Sequence, residues 1–202
     1  MSNKHLLHIG LIISIILILI AASLYPGGSQ NDINSVGFKW QHNYVCNLFA
    51  DTAMNGMKNQ SKYWAISGML FMSISFAVFF YQTSKKVTDK NSSNVIKYCG
   101  VSSMILAFFV VTPLHDTALN LSNILALLSL FYIVVFIFRS KNLLFLKAIS
   151  IILMLLSYMT IFIYYSGYLI AFLPVMQKVT FLILVSWMLG VTHFFENRSK
   201  KN

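Results

Sequence analysis

Six apolar runs, each close to the length that crosses a lipid bilayer, constrain this chain more than any other feature of its sequence. A transmembrane helix needs about 20 mostly apolar residues. The six runs cover residues 6–24, 63–82, 95–111, 118–138, 143–165 and 179–195. They predict an all-α polytopic membrane protein, with one six-transmembrane-helix bundle spread over residues 1–202.

Composition supports this prediction. Hydrophobic residues make up 57% of the chain and charged residues only 10%, whereas soluble domains carry about 25% charged residues. A soluble domain of this size could not cover so much apolar surface. The first run follows Lys4 and ends in Ala21-Ala22-Ser23, as a signal peptide would. Because it is long enough to span, we interpret it as a retained helix.

Lysine and arginine lie unevenly on the two sides of the predicted spans. With the N-terminus in the cytoplasm, eleven of the fifteen basic residues fall in cytoplasmic segments; the four others are Lys39, Lys58, Lys62 and Lys178. The positive-inside rule therefore predicts that both termini are cytoplasmic, in a bacterial-type plasma (inner) membrane. The net charge of +10 does not indicate a nucleic-acid partner, because the basic residues form no contiguous face.

The predicted outer segment from residue 25 to 62 is the longest connection, and long loops in compact proteins are usually functional or disordered. It opens with the turn signal Tyr25-Pro26-Gly27-Gly28. Its aromatic residues argue against disorder; they are Trp40, Tyr44 and Phe49. We expect an ordered loop with a short surface helix over residues 43–54, ended by Gly56.

Four ionisable residues fall on the predicted outer side and are the candidates for catalysis: His42, Asp51, His115 and Asp116. Histidine and aspartate that meet near an interface can serve acid–base chemistry or bind a metal. A complete metal site is not predicted, because a third ligand is uncertain. His193 lies at the opposite, inner end of the sixth span and is excluded from the group.

A polar stripe enters the fourth span. Asp116, Asn120 and Asn123 are spaced i, i+4 and i+7, so they share one helical face. We expect this face to point into the bundle or a wet cavity, because lipid tolerates polar groups poorly. Two interpretations remain open: a binding or active cavity, or a helix cap at Asp116 or Thr117 with interhelical hydrogen bonds from the asparagines.

Lys178 begins the sixth span on the predicted outer side, next to Gln177. It is a candidate contact for a lipid phosphate and equally a candidate interfacial anchor; Gln177 and Tyr44 complete the predicted lipid-binding group. The two cysteines, Cys46 and Cys99, are more typical of packing residues than of a disulfide, although a pairing stays open at this stage.

Several short motifs occur along the long loop and the sixth span: Tyr25-Pro26-Gly27-Gly28, Asn43-Tyr44, Asn47-Leu48, Thr52, Asn55-Gly56, Asn59, Pro174, Gln177-Lys178 and Trp187. Together they resemble the motifs of a family of small bacterial and archaeal six-span membrane proteins, a domain of unknown function that is distantly similar to FRAG/DRAM/Sfk-type proteins. The resemblance implies six helices and an ordered first outer loop, and some distant relatives act in lipid remodelling or regulation. Asn47 stands where that family carries an acidic residue.

The functional prediction is accordingly coarse. We expect a membrane protein that binds lipid, or a partner membrane protein, at the extracytoplasmic face. The alternatives are a membrane-embedded enzyme that acts on a lipid or headgroup through the outer histidines and aspartates, and a small transporter suggested by the polar stripe. No nucleotide, haem or classical hydrolase motif is present in the sequence, so no cofactor is predicted.

Overall fold

A computed structural model describes residues 3–140 and 143–199. It contains six α-helices: α1 Asn3–Ser23, α2 Lys62–Ser84, α3 Lys90–Phe108, α4 His115–Arg139, α5 Leu144–Ser166 and α6 Leu173–Ser199. Short 3-10 helices occur at Val45–Phe49, Phe109–Val111 and Ile170–Phe172. All six long helices are long and apolar enough to cross a membrane. The prediction of an all-helical chain with six helices able to span a membrane is thereby confirmed, and no strand occurs within the described ranges.

Helices α3 and α6 begin earlier than the apolar runs predicted. Helix α3 starts at Lys90, because the Asp89 carboxylate caps it by accepting a hydrogen bond from the Ser92 N–H at 2.7 Å. Helix α6 starts at Leu173 and continues through the polar pair Gln177-Lys178. Hydropathy detects only the apolar middle of such a helix, so it misses polar turns at the ends.

The helices pack in chain order around a core that α6 closes. The pairs α1–α2, α2–α3 and α3–α4 make the most extensive contacts, α5 packs mainly on α6, and α4 meets α5 over a smaller area. Trp187 of α6 is fully buried among Phe79, Phe80 and Ile133. Its indole N–H donates to the Ser150 hydroxyl at 2.7 Å, so the central aromatic residue also ties α6 to α5.

Glycines let neighbouring helices approach closely. A Cβ atom on Gly100 of α3 would lie 2.4 Å from the Phe80 ring of α2. At the α1–α2 contact, a Cβ on Gly10 would lie 2.3 Å from the Ser75 hydroxyl. Small residues at crossing points are typical of helix packing in membranes, where van der Waals contact replaces the hydrophobic effect.

The helix ends gather at two faces. We call one the loop face; it holds the connections at residues 24–61, 109–114 and 167–172. We call the other the terminal face; it holds the described ends of the chain and the α2–α3 and α4–α5 connections. The predicted long outer loop thus lies at the face opposite the termini.

Candidate functional site at the loop face

Buried asparagines organise the long loop. Asn43 is fully buried; its side-chain N–H donates to the Gly28 carbonyl at 2.8 Å, and its side-chain oxygen accepts from the Lys39 N–H at 2.8 Å. Asn59 is also buried and donates to the carbonyls of Leu48 and Ala50 at 3.1 and 2.8 Å. These bonds satisfy backbone groups that a loop otherwise leaves unpaired, so the loop is ordered by its asparagines.

The turn after α1 supplies the second support. Gly27 and Gly28 both have positive φ, and a Cβ on either would collide with the facing backbone at 2.3 Å. The Tyr25 hydroxyl accepts a hydrogen bond from the Met54 N–H at 3.0 Å. Burial raises the pKa of Tyr25, although the Met54 bond opposes this shift. The turn signal in the sequence therefore marks a packed corner of the loop.

The surface helix predicted over residues 43–54 is wrong in length. One 3-10 turn, Val45–Phe49, is formed, and Ala50 is already extended, with φ −66° and ψ 148°. The Asn47 side chain accepts from the Tyr44 N–H at 2.7 Å, and Asn59 binds the carbonyl of Ala50. These side chains bind the backbone groups that a continuing helix needs.

Lys178 and Gln177 fasten the loop to α6. The Lys178 ammonium donates to the carbonyls of Asn43 and Pro174 at 2.6 and 2.7 Å. The Gln177 side-chain oxygen accepts from the Val45 N–H at 3.0 Å. Because two of the three ammonium donors already bind backbone carbonyls, Lys178 acts as an internal brace here. Its role as a phosphate contact remains a prediction.

A thiol and an imidazole lie close to each other near this brace. The Gln177 amide nitrogen lies 3.7 Å from the Cys46 sulfur, and the His115 ring lies beside the same thiol. His115 Nδ1 is 3.0 Å from the Asp116 carboxylate. His115 Nε2 is shielded from solvent and has no hydrogen-bond partner in the part of the chain that the structure describes. We call Cys46 and His115 the thiol–imidazole pair.

His42 and Asp51 are not drawn into this pair. The Asp51 carboxylate forms an ion pair with Lys62 and is 84% exposed. The His42 backbone N–H donates to the Lys39 carbonyl at 2.9 Å. No hydrogen bond or ion pair found in the described ranges joins either residue to His115. Of the four residues in the predicted catalytic group, the structure therefore brings only His115 and Asp116 into contact within the described ranges.

The polar stripe on α4 faces outward, contrary to the expectation of an interior face. Asp116 has a side chain that is 82% exposed, and Asn123 is exposed as well. Asn120 is partly covered and accepts a hydrogen bond from the Tyr165 hydroxyl at 2.9 Å. The predicted cap is also wrong: Leu114 precedes the helix and makes no side-chain cap bond. Periodicity placed the three residues on one face correctly but did not say which way that face points.

Tyr44 lies next to the pair on the loop side. Burial raises the pKa of its hydroxyl, with smaller contributions from the Cys46 thiol and the Tyr164 hydroxyl. Cys46 and Cys99 are both free thiols, so the open question of a disulfide is answered. No group of three or more metal-ligating side chains occurs in residues 3–140 and 143–199.

Sequence reasoning missed Cys46, Asn43 and Asn59 as organising residues of this site. The available signal was the recurrence of asparagine in the long loop, which includes Asn43 and Asn59, with Cys46 between Tyr44 and Asn47. Comparison of the chain with family models, curated proteins and solved structures found no match.

Proposed function

We propose that this protein resides in a bacterial-type plasma membrane with its loop face outside, and that it binds a membrane lipid beside α4. The orientation is supported by the basic residues, which concentrate at the terminal face. The lipid function is supported by one observation above all: the outward-facing polar stripe on α4, in which Asp116 and Asn123 are exposed and Asn120 is partly covered.

The depth of the stripe suits the region just below the lipid headgroups. Helix α4 has 25 residues, or about 37 Å of rise, against a hydrocarbon core of about 30 Å. If the excess is shared between its two ends, Asn120 lies about 4 Å and Asn123 about 8 Å below the core boundary. Ester carbonyls and glycerol oxygens of a lipid can accept hydrogen bonds from amides placed there.

The neighbourhood of the stripe is open on the side of α5. Helices α4 and α5 share only a small contact area, and the exposed Tyr165 side chain reaches Asn120 across it. Because an uncompensated amide in hydrocarbon is unfavourable, this surface needs a polar partner. The stripe does not line the bundle interior, so the feature that suggested a transporter now favours binding at the surface.

Lipid retention tests the proposal. The full chain is extracted in mild detergent, and its bound phospholipids are measured by native mass spectrometry for the wild type and for Asn120→Leu/Asn123→Leu. We expect the double variant to keep its thermal stability and to lose most of the retained lipid. Ser186→Leu is the matched control, because Ser186 is exposed on α6 and bonds within its own helix.

Unchanged lipid retention in the double variant, with the wild type retaining lipid, would refute lipid binding at the stripe. Conversion of a wild-type oligomer to monomer by the same variant would show that a second protein helix covers it instead.

A second candidate function, an acyl-transfer enzyme, is favoured by the thiol–imidazole pair. Histidine can take the proton of a neighbouring thiol, and the thiolate is the nucleophilic form. The Cys46 sulfur would attack the carbonyl carbon of a lipid ester and form a thioester. The ester C–O bond breaks, and the alcohol leaves with the proton from His115.

The second half of that reaction regenerates the site. Water or an acceptor alcohol attacks the thioester, its proton passes to His115, and the Cys46 sulfur leaves and takes the proton back. Asp116 orients the imidazole through Nδ1, and the Gln177 amide is placed to donate to the oxyanion.

Trapping the thioester tests this candidate. We expect an acyl adduct on Cys46 that hydroxylamine removes, and its absence in His115→Ala. Cys99 provides an internal control, because it is a free thiol on α3 away from this face. Intact protein that carries no adduct after incubation with phospholipid vesicles would exclude the enzyme and leave the binding function untouched.

A further inference from the structure

A cavity of about 410 Å³ opens at the terminal face. It lies between the α2–α3 connection, the first turn of α3, the last turns of α4 and the end of α6. Among the described residues, its lining combines the charged side chains of Asp89 and Arg139 with hydroxyl-bearing residues, including Thr88 and Tyr132, and with apolar residues, including Phe136 and Phe194. The volume falls in the range of small-ligand sites in proteins.

The two charged residues of the lining carry opposite charges that are not paired with each other. Within the described ranges, Asp89 and Arg139 form no ion pair. They are close enough to interact, because Arg139 contributes to the lowered pKa of Asp89, of which hydrogen bonds from Ser92 are the larger cause. Asp89 is therefore ionised near pH 7, and the two side chains of opposite charge share the lining of the cavity without forming an ion pair.

The cavity is amphipathic as well as charged. Asp89 and Arg139 flank the helix ends, while Phe136 and Phe194 form part of the wall on the bundle side. A ligand that fits this lining has a positive group, a negative group and an apolar portion directed into the membrane. A ligand that carries only negative charge would be repelled by the Asp89 carboxylate, and a ligand that carries only positive charge would be repelled by the Arg139 guanidinium.

We propose that this cavity binds the headgroup of a zwitterionic phospholipid from the leaflet at the terminal face. The Arg139 guanidinium binds the phosphate, the Asp89 carboxylate binds the primary ammonium, and the apolar wall accommodates the start of the acyl chains. The hydroxyls of Tyr132 and Thr88 are available to the remaining phosphate oxygens. This inference does not depend on the site proposed at the loop face.

Lysines near the cavity suggest an alternative to recognition of a zwitterion, namely non-specific attraction of anionic lipids. Lys86 and Lys90 flank the connection that carries Asp89, and their charge attracts any anionic lipid. If attraction alone operated, removal of the Asp89 charge would strengthen binding of anionic lipid. If the headgroup is recognised as a zwitterion, removal of either lining charge weakens binding of the zwitterionic lipid.

Lipid titration of the purified full chain separates these cases. Native mass spectrometry would compare phosphatidylethanolamine with phosphatidylglycerol of identical acyl chains, for the wild type, Asp89→Asn and Arg139→Gln. We expect the wild type to prefer phosphatidylethanolamine, and each variant to lower that affinity about tenfold or more, as for a lost charged hydrogen bond. Asparagine caps a helix as well as aspartate does, so Asp89→Asn keeps the start of α3.

Two controls complete the design. Asp51→Asn removes an exposed carboxylate at the loop face and is expected to leave both affinities unchanged. Glycerophosphoethanolamine, which has the headgroup without chains, is expected to compete only weakly.

Three results would overturn the proposal. They are tighter phosphatidylglycerol binding in Asp89→Asn with no wild-type preference for phosphatidylethanolamine, unchanged affinities in both variants, and competition by the soluble headgroup at the affinity of the lipid. The last result would identify a soluble zwitterion as the ligand.

Discussion

Polar side chains have different partners at the two faces of the bundle. At the loop face, Asn43, Asn59 and Lys178 are buried or half-buried and bind backbone carbonyls or N–H groups. At the terminal face, Asp89 and Arg139 face a cavity without pairing with each other. Polar residues that bind backbone groups build a scaffold, whereas separated charges around a cavity leave binding capacity for a ligand.

Loss of Asn43 gives the largest expected effect on stability. Asn43→Ala leaves the buried Gly28 carbonyl and the partly buried Lys39 N–H without their side-chain partner, and each costs about 1–3 kcal/mol. We expect a total loss of about 2–5 kcal/mol, measured as a lower thermal midpoint in detergent. Asn34→Ala, at an exposed position of the same loop, serves as the control and should change nothing. Equal behaviour of the two variants would mean that the loop does not depend on its buried asparagine.

Loss of the Lys178 brace gives the next effect. Lys178→Met removes two hydrogen bonds to the carbonyls of Asn43 and Pro174, and we expect a loss of about 2 kcal/mol. The loop should then open, so that chymotrypsin cleaves after Trp40 faster than in the wild type. Lys62→Met is the comparison, because its ion pair with Asp51 is exposed and exposed ion pairs contribute little to stability. Cleavage rates that rise equally in both variants would contradict a bracing role.

The terminal face should respond least. Asp89→Asn preserves the cap of α3, and Arg139 forms no ion pair within the described ranges with Asp89. Each of Asp89→Asn and Arg139→Gln is therefore expected to leave the thermal midpoint nearly unchanged, measured in detergent without added lipid. A loss as large as that of Lys178→Met would show that these charges are structural, and the contrast between the faces would disappear.

Hydropathy predicted the helix number because a spanning helix leaves a run of apolar residues that no other element of this chain imitates. It could not predict the polar ends, such as the first turns of α6 with Gln177 and Lys178. The sequence also did not predict which way the α4 stripe faces, because a helix with apolar residues on all sides carries no signal for its inner face. Whether α4 turns Asn123 outward depends on how α3 and α5 pack against it.

The candidate site was harder still, because it is built by contacts between distant parts of the chain. Cys46 meets His115 and Gln177, which lie in two other elements, and no local spacing links them. His42 and Asp51 looked equivalent to His115 in the sequence because all are ionisable and outer by topology. Only the fold separates a residue beside the thiol from one in an exposed ion pair.

The bracing of the long loop by α6 also sets an order of assembly. The hydrogen bond from the Val45 N–H to Gln177 joins residues 132 positions apart, and that from Lys178 to Asn43 spans 135. During synthesis the loop leaves the ribosome before α2 and the four helices that follow α2. Its hydrogen-bond partners Gln177 and Lys178 emerge only with α6. A nascent chain stopped before residue 177 lacks both of these hydrogen bonds, so the synthesis of the first turns of α6 completes the anchoring of the loop.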